Sequence, residues 1–164
     1  MLSRRPFLVI FAGALLALAA PPSKIVRADS KKVHLAVVVA KDSPVSDLSF
    51  ATLKRLYLGE NVNAPGGKRL IPLNHAALSQ DRIGFDRAVL GMSAEAVARY
   101  WIDRKIRGQS GPPKAVQPTD VLQRVVSHLD GAISYVRHEE VRPELKIVRI
   151  DGKAPGDPNY AIQY

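Results

Sequence analysis

LSFATLKRLYLGENVNAPGGKRLIPLNHAALSQDRIGFDRAVLG, residues 48–91, decides the fold. Ser49 is a preferred helix N-cap, and Leu53, Leu56 and Tyr57 follow it at helical spacing. Leu48 precedes the cap, where it can staple onto Leu53. Gly59 suits the left-handed position that ends a helix. A polar loop turning at Pro65-Gly66-Gly67 leads to a short apolar run, Leu70 to Leu73. Its Pro72 predicts an edge strand or a strand end. Ser79 or Asp81 then caps a second helix with apolar positions at Ile83, Phe85, Val89 and Leu90, and Gly91 closes it.

The same alternation continues on both sides. Val33 to Ala40, VHLAVVVA, is a near-continuous apolar and β-branched run, which predicts a strand buried on both faces, as in a covered parallel sheet. Ser93 caps a third helix through Arg107, with Glu95 in its first turn and Arg104, Lys105 and Arg107 in its last. That order of charge complements the helix dipole. Val97, Tyr100, Trp101 and Ile106 make its expected inner stripe. Thr119 or Asp120 opens a fourth helix with Val121, Leu122, Val125 and Val126 inward. Ala132 to Val136 and Leu145 to Ile150 read as strands, and turns mark the tail. Helices alternating with short strands predict an α/β domain, a mixed sheet covered by about four helices.

Residues 1–28 are read as an export signal and set apart from the fold. Arg4 and Arg5 precede an apolar stretch from Phe7 to Ala20, shorter than the roughly 20 residues a membrane span needs. Val26-Arg27-Ala28 predicts cleavage after Ala28, with Ala20 as the weaker site. Ser3-Arg4-Arg5-Pro6-Phe7-Leu8 also resembles a twin-arginine signal, so the Sec and twin-arginine routes both stay open, as does an uncleaved anchor. Cleavage would leave residues 29–164 as a single periplasmic domain without an integral membrane segment. Four basic and no acidic residues lie in the prefix, so the net charge falls from +9 to +5. A mildly basic exported domain suits an anionic ligand, an acidic partner or an anionic envelope surface. The basic residues are scattered rather than set in a stripe with aromatics, which argues against nucleic acid. The absence of cysteine excludes disulfides, thiolate metal sites, a cysteine nucleophile and a lipoprotein anchor.

Five local patterns, in order, resemble the substrate-binding proteins of phosphate ABC transporters (the PstS-like family). They are Leu48-Ser49 with Leu53, Leu56 and Tyr57-Leu58-Gly59; Arg82 with Phe85 to Gly91; Trp101 with Gly108 to Pro113; Gly131-Ala132-Ile133-Ser134-Tyr135-Val136; and Ile150-Asp151-Gly152-Lys153-Ala154-Pro155. The resemblance runs from about Val33 to Pro155. It implies the type 2 periplasmic-binding-protein fold, here with length for one lobe-sized unit. It also implies non-covalent binding of phosphate or another small anion, an ABC transporter or other envelope protein as partner, and no cofactor.

In that family a Ser-Gly-Thr turn at a helix N-terminus holds phosphate, assisted by an upstream arginine. Free amides and the positive end of the helix dipole attract the anion. Counting back from Phe85, the resemblance puts this turn at Ser79-Gln80-Asp81, with Arg82 beside it and His75 at the upstream position. The sequence departs from the family here. Gln80 keeps the backbone farther from a ligand than glycine would. Asp81 puts an anion where an anion should bind: two like charges about 4 Å apart repel by roughly 4 kcal/mol at an effective dielectric near 20. The loop from Ser43 to Asp47 is a further expected wall of the site. Asp81 and the single lobe also suit a second reading, an envelope interaction module that keeps the fold and binds no small ligand.

No enzyme is expected. The chain has no Gly-x-Ser-x-Gly elbow, P-loop or dinucleotide fingerprint, and its acids are dispersed. His34, His75, His128 and His138 show no metal-ligand spacing. Tyr100 and Trp101 are expected in the core.

Overall fold

Val37 sits at the middle of the molecule, paired to strands on both sides. The computed structural model describes residues 32–164, and the export signal read in residues 1–28 lies outside them. The described residues form one compact unit. The strands are β1 (Leu35–Ala40), β2 (Asp47–Leu48), β3 (Ile71–Asn74), β4 (Lys114–Ala115), β5 (Ala132–Arg137) and β6 (Leu145–Ile150). The helices are α1 (Phe50–Tyr57), α2 (Gln80–Phe85), α3 (Ala94–Ile106) and α4 (Thr119–His128). A π-helical turn, Asp86–Leu90, continues α2, and a 3-10 turn spans His138–Glu140. The sheet order is β2-β6-β1-β5-β3-β4. This is the mixed, helix-covered sheet that the alternating pattern implies.

β1 is central and buried, but it runs antiparallel to both β5 and β6, not in the parallel sheet its composition suggested. A continuous apolar run reports two covered faces and carries no information on neighbour direction. Its residues alternate between two cores as the pleat requires. Leu35, Val37 and Val39 face a large core with α1, Phe85, Val97 and Trp101, and Ala36 and Val38 face Leu122 and Val126 of α4.

Local signals set most boundaries. The Ser49, Ser79 and Ser93 hydroxyls each accept an N–H three residues on, from Thr52, Arg82 and Ala96. Ser79, not Asp81, is thus the cap of α2. α4 starts at Thr119 after Pro118, with no side-chain cap from Thr119 or Asp120. Ile106, expected inside, is 80% exposed, and Tyr100 is half-buried. The core contacts of α3 end at Trp101, so its last turn has nothing to bury against. Pro72 lies in β3, which is not an edge, because the two-residue β4 pairs beyond it. The tail is more than turns. Tyr160 and Ile162 are buried against the large core, and Val33 and Tyr164 exchange backbone hydrogen bonds. Among the described residues no helix is long and apolar enough to cross a membrane.

Gly131 shows how tightly β5 is set against the loop before β3. It holds φ +80°, and a Cβ there would lie 2.6 Å from the Arg69 carbonyl oxygen. Left-handed strain and a backbone clash act together, so Gly131→Ala is expected to cost about 3 kcal/mol. Urea denaturation measures it, and a loss below about 1 kcal/mol would show that the loop yields freely.

Candidate functional site

The site is built where β3 ends against β5. Only Ile71 and Pro72 of β3 pair with Ala132 and Ile133. Past that point side chains replace the ladder. The Leu73 carbonyl accepts the Tyr57 hydroxyl at 3.1 Å and the buried Ser134 hydroxyl at 3.1 Å. This gives the Ser134 side chain a structural task. The Tyr135 hydroxyl reaches Asn74 Oδ1 at 2.5 Å. Burial pushes the Tyr57 and Tyr135 hydroxyls well above the ordinary range, so both stay neutral donors. His75 comes next, buried, with Nε2 2.7 Å from the Tyr135 carbonyl oxygen. A carbonyl only accepts, so Nε2 carries the hydrogen. The ring centroid of His75 is 5.0 Å from that of Tyr135.

Residues 76–79 turn the chain into α2. The Ser79 hydroxyl donates to the Ala76 carbonyl at 2.9 Å while accepting from Arg82 N–H at 3.2 Å. Both its hydrogen-bonding directions are therefore engaged in the turn itself. The N–H groups of Gln80 and Asp81 open the helix and have no partner within it. The Gln80 side chain is exposed.

Asp81 turns toward the tail. Its Oδ1 accepts Arg137 Nε at 2.8 Å and the Tyr164 hydroxyl at 2.6 Å. The hydrogen bond that Arg137 donates to Asp81 pushes its guanidinium further up, and burial followed by Asp81 raises Tyr164. A nearby cation thus offsets the repulsion expected between Asp81 and a bound anion. Gly84 makes room for this arrangement, since a Cβ there would lie 2.2 Å from the Tyr164 ring.

Arg82 points the other way, into the protein. It is 7% exposed, and its Nε donates to Asp86 Oδ2 at 2.6 Å. Asp86 is 3% exposed, and its Oδ1 is buried without a hydrogen-bond partner. Burial raises the Asp86 pKa, opposed by Arg82. Asp86 opens the π-helical turn, a distortion frequent at functional sites. Arg82 and Asp86 line a cavity of about 630 Å³ together with His75, Trp101, Ala94, Glu95, Val97, Ala98 and the Pro112–Ala115 segment. Trp101 Nε1 is likewise buried without a partner. Its ring packs against Gly59 at the end of α1 and under the Arg104 guanidinium, 5.7 Å from the ring centroid.

Of the residues singled out from the sequence, His75 and Arg82 thus meet in one cavity. Ser79 braces the turn beside them, and Asp81 lies against Arg137 outside the cavity lining. The loop from Ser43 to Asp47 is not part of it. That loop leads into β2 at the opposite edge of the sheet, where the Ser43 carbonyl accepts Lys146. Asp86 was legible as an i,i+4 partner of Arg82 but was not singled out. Arg137 and Tyr164 carry no local signal, because they reach Asp81 across 56 and 83 residues. Among the described residues no group of three His, Asp or Glu side chains is arranged to hold a metal ion.

No protein-family model matches the sequence, and no curated protein matches it significantly. Solved structures do. An ABC-type phosphate transport receptor from Vibrio cholerae superposes with a TM-score of 0.60 at 19% identity, covering 76% of this chain and 48% of that one. A candidate phosphate ABC transporter substrate-binding protein from Clostridium perfringens, solved with bound phosphate, gives 0.60 at 22% identity over 75% and 47%. PstS from Borrelia burgdorferi gives 0.59 at 14% identity over 80% and 55%. The fold is PstS-like, and the chain spans about half the length of these proteins.

Proposed function

We infer that this chain is an exported binding protein whose lobe holds phosphate or another small anion without covalent chemistry, for ABC-type uptake or sensing. The observation that carries this reading is Arg82. It is a buried guanidinium that lines a cavity at the start of α2 and is held by Asp86 through Nε. The remaining guanidinium N–H groups are donors with a fixed fork geometry. Helix-terminal N–H groups of Gln80 and Asp81 add a favourable field for negative charge. The fold neighbours handle phosphate, which makes phosphate the first anion to test.

Calorimetric titration of the purified chain with phosphate, sulfate and simple carboxylates tests the reading. At least one should bind saturably, and Arg82→Gln should weaken it at least tenfold. Glutamine can still donate to Asp86 but carries no charge, and titration at a temperature where the variant is fully folded separates loss of the cation from loss of the fold. Silence from the whole panel at millimolar concentration would sink the reading.

A further inference from the structure

The cavity around Arg82 is not shaped for an inorganic ion. Ala77, Leu78, Val97, Ala98 and Pro113 supply apolar walls, and about 630 Å³ is within the range of pockets for organic ligands. Phosphate, with five heavy atoms, would leave most of that wall unused. The lining is also electrically balanced, because Asp86 pairs with Arg82 at 2.6 Å and Glu95 and Lys114 add one charge of each sign. A dianion would meet no net charge there.

Two floor residues carry buried polar atoms that no protein group satisfies among the described residues: the acceptor Asp86 Oδ1 and the donor Trp101 Nε1. Native interiors rarely leave such groups unpaired. Together with the Arg82 guanidinium they define a recognition pattern of two donors and one acceptor on an apolar cavity. Both residues line the cavity, but neither atom is reached by solvent, so contact with a ligand requires each side chain to turn toward it.

We propose that this pocket takes a small organic acid with a ring-sized apolar body and a hydroxyl beside its carboxylate. This rests on Arg82 being the anion-binding cation, as argued above. The carboxylate would accept from Arg82 and the Trp101 indole N–H. The hydroxyl would donate to Asp86 Oδ1, and the apolar body would cover the alanine and proline walls. Neither a bare inorganic anion nor an apolar acid without the hydroxyl meets all three requirements.

Trp101 is the single tryptophan of the chain, so its fluorescence reports occupancy directly. The purified chain is titrated with mandelate, phenylacetate and phosphate, with calorimetry alongside. Mandelate should bind saturably, at least tenfold tighter than phosphate and about tenfold tighter than phenylacetate, with a shift in Trp101 emission. In Asp86→Asn the preference for mandelate over phenylacetate should shrink. If that variant fails to fold, the ligand series on the native chain still decides. Equal binding of mandelate and phenylacetate overturns the hydroxyl assignment. Phosphate binding tighter than mandelate overturns this inference and leaves the anion-binding function standing. Silence from mandelate overturns this inference whatever phosphate does, and the wider anion panel decides the binding function separately.

Discussion

Arg82→Ala is expected to destabilise the fold by about 3–5 kcal/mol near neutral pH, because it strands Asp86 as a buried, uncompensated carboxylate. The pair is closed off from solvent on both sides, at 7% and 3% exposure, so water cannot replace the lost partner. Burial already raises the Asp86 pKa, and Arg82 is the group that opposes the rise. Deleting Arg82 moves that pKa further up. The folded variant then holds its proton more tightly than the unfolded chain does, so its stability falls as pH rises between the two values. The cost should therefore shrink on acidification, by at most about 1.4 kcal/mol per pH unit. Replacing both members, as Arg82→Met with Asp86→Leu, should restore most of the stability, since a buried pair is often no better than apolar residues of similar volume. Urea denaturation of the three proteins at pH 5 and pH 8 measures all of this. A single variant as stable as the native chain would show that the pair carries no structural weight. The double variant also separates the roles of Arg82, because a fold that survives without it and binds no anion assigns the pair to function.

Local chemistry explains how much could be read in advance. Ser49, Gly59, Ser93 and the alternation of apolar residues report events within a turn or two of themselves, and the elements they predict are present. What failed was what depends on distant chain. Strand direction around β1, the shelter of β3 by β4 and the burial of Tyr160 and Ile162 are all set by partners more than 40 residues away in sequence. The site divides in the same way. The start of α2 at Ser79 is local, and so is the i,i+4 relation of Arg82 to Asp86. The fate of Asp81 is not. In the sequence it is an acid at an anion-binding turn. In the fold it is the partner of Arg137 and Tyr164, which turns a residue that seemed to block binding into one that pins the tail to the back of the site. Ile106 failed for the opposite reason: helical periodicity reports which face is apolar but not how far along the helix a neighbour extends.

The aromatic stack beneath the cavity carries the second large effect. Phe85 lies flat on Tyr135, with centroids 3.7 Å apart and planes within 3°, and tilts against Tyr57 at 4.6 Å. It is fully buried. Phe85→Ala is therefore expected to cost about 3–5 kcal/mol, a transfer loss plus the cavity left behind. For a domain of this size that lowers the melting temperature by on the order of 10 °C. Phe85→Leu refills much of the volume and should cost less, about 1–2 kcal/mol. The consequence reaches the site by a short physical path. Tyr135 holds Asn74 through its hydroxyl and His75 through its carbonyl, and Phe85 immediately precedes Asp86. Loosening the ring lets both the end of β3 and the start of the π-helical turn relax, so anion affinity should fall in Phe85→Ala even at temperatures where the variant is fully folded. Thermal denaturation and titration at 10 °C separate the two effects. A large stability loss with unchanged affinity would mean that the ring stack supports the core alone, and that the cavity floor is held by the Arg82–Asp86 pair without it.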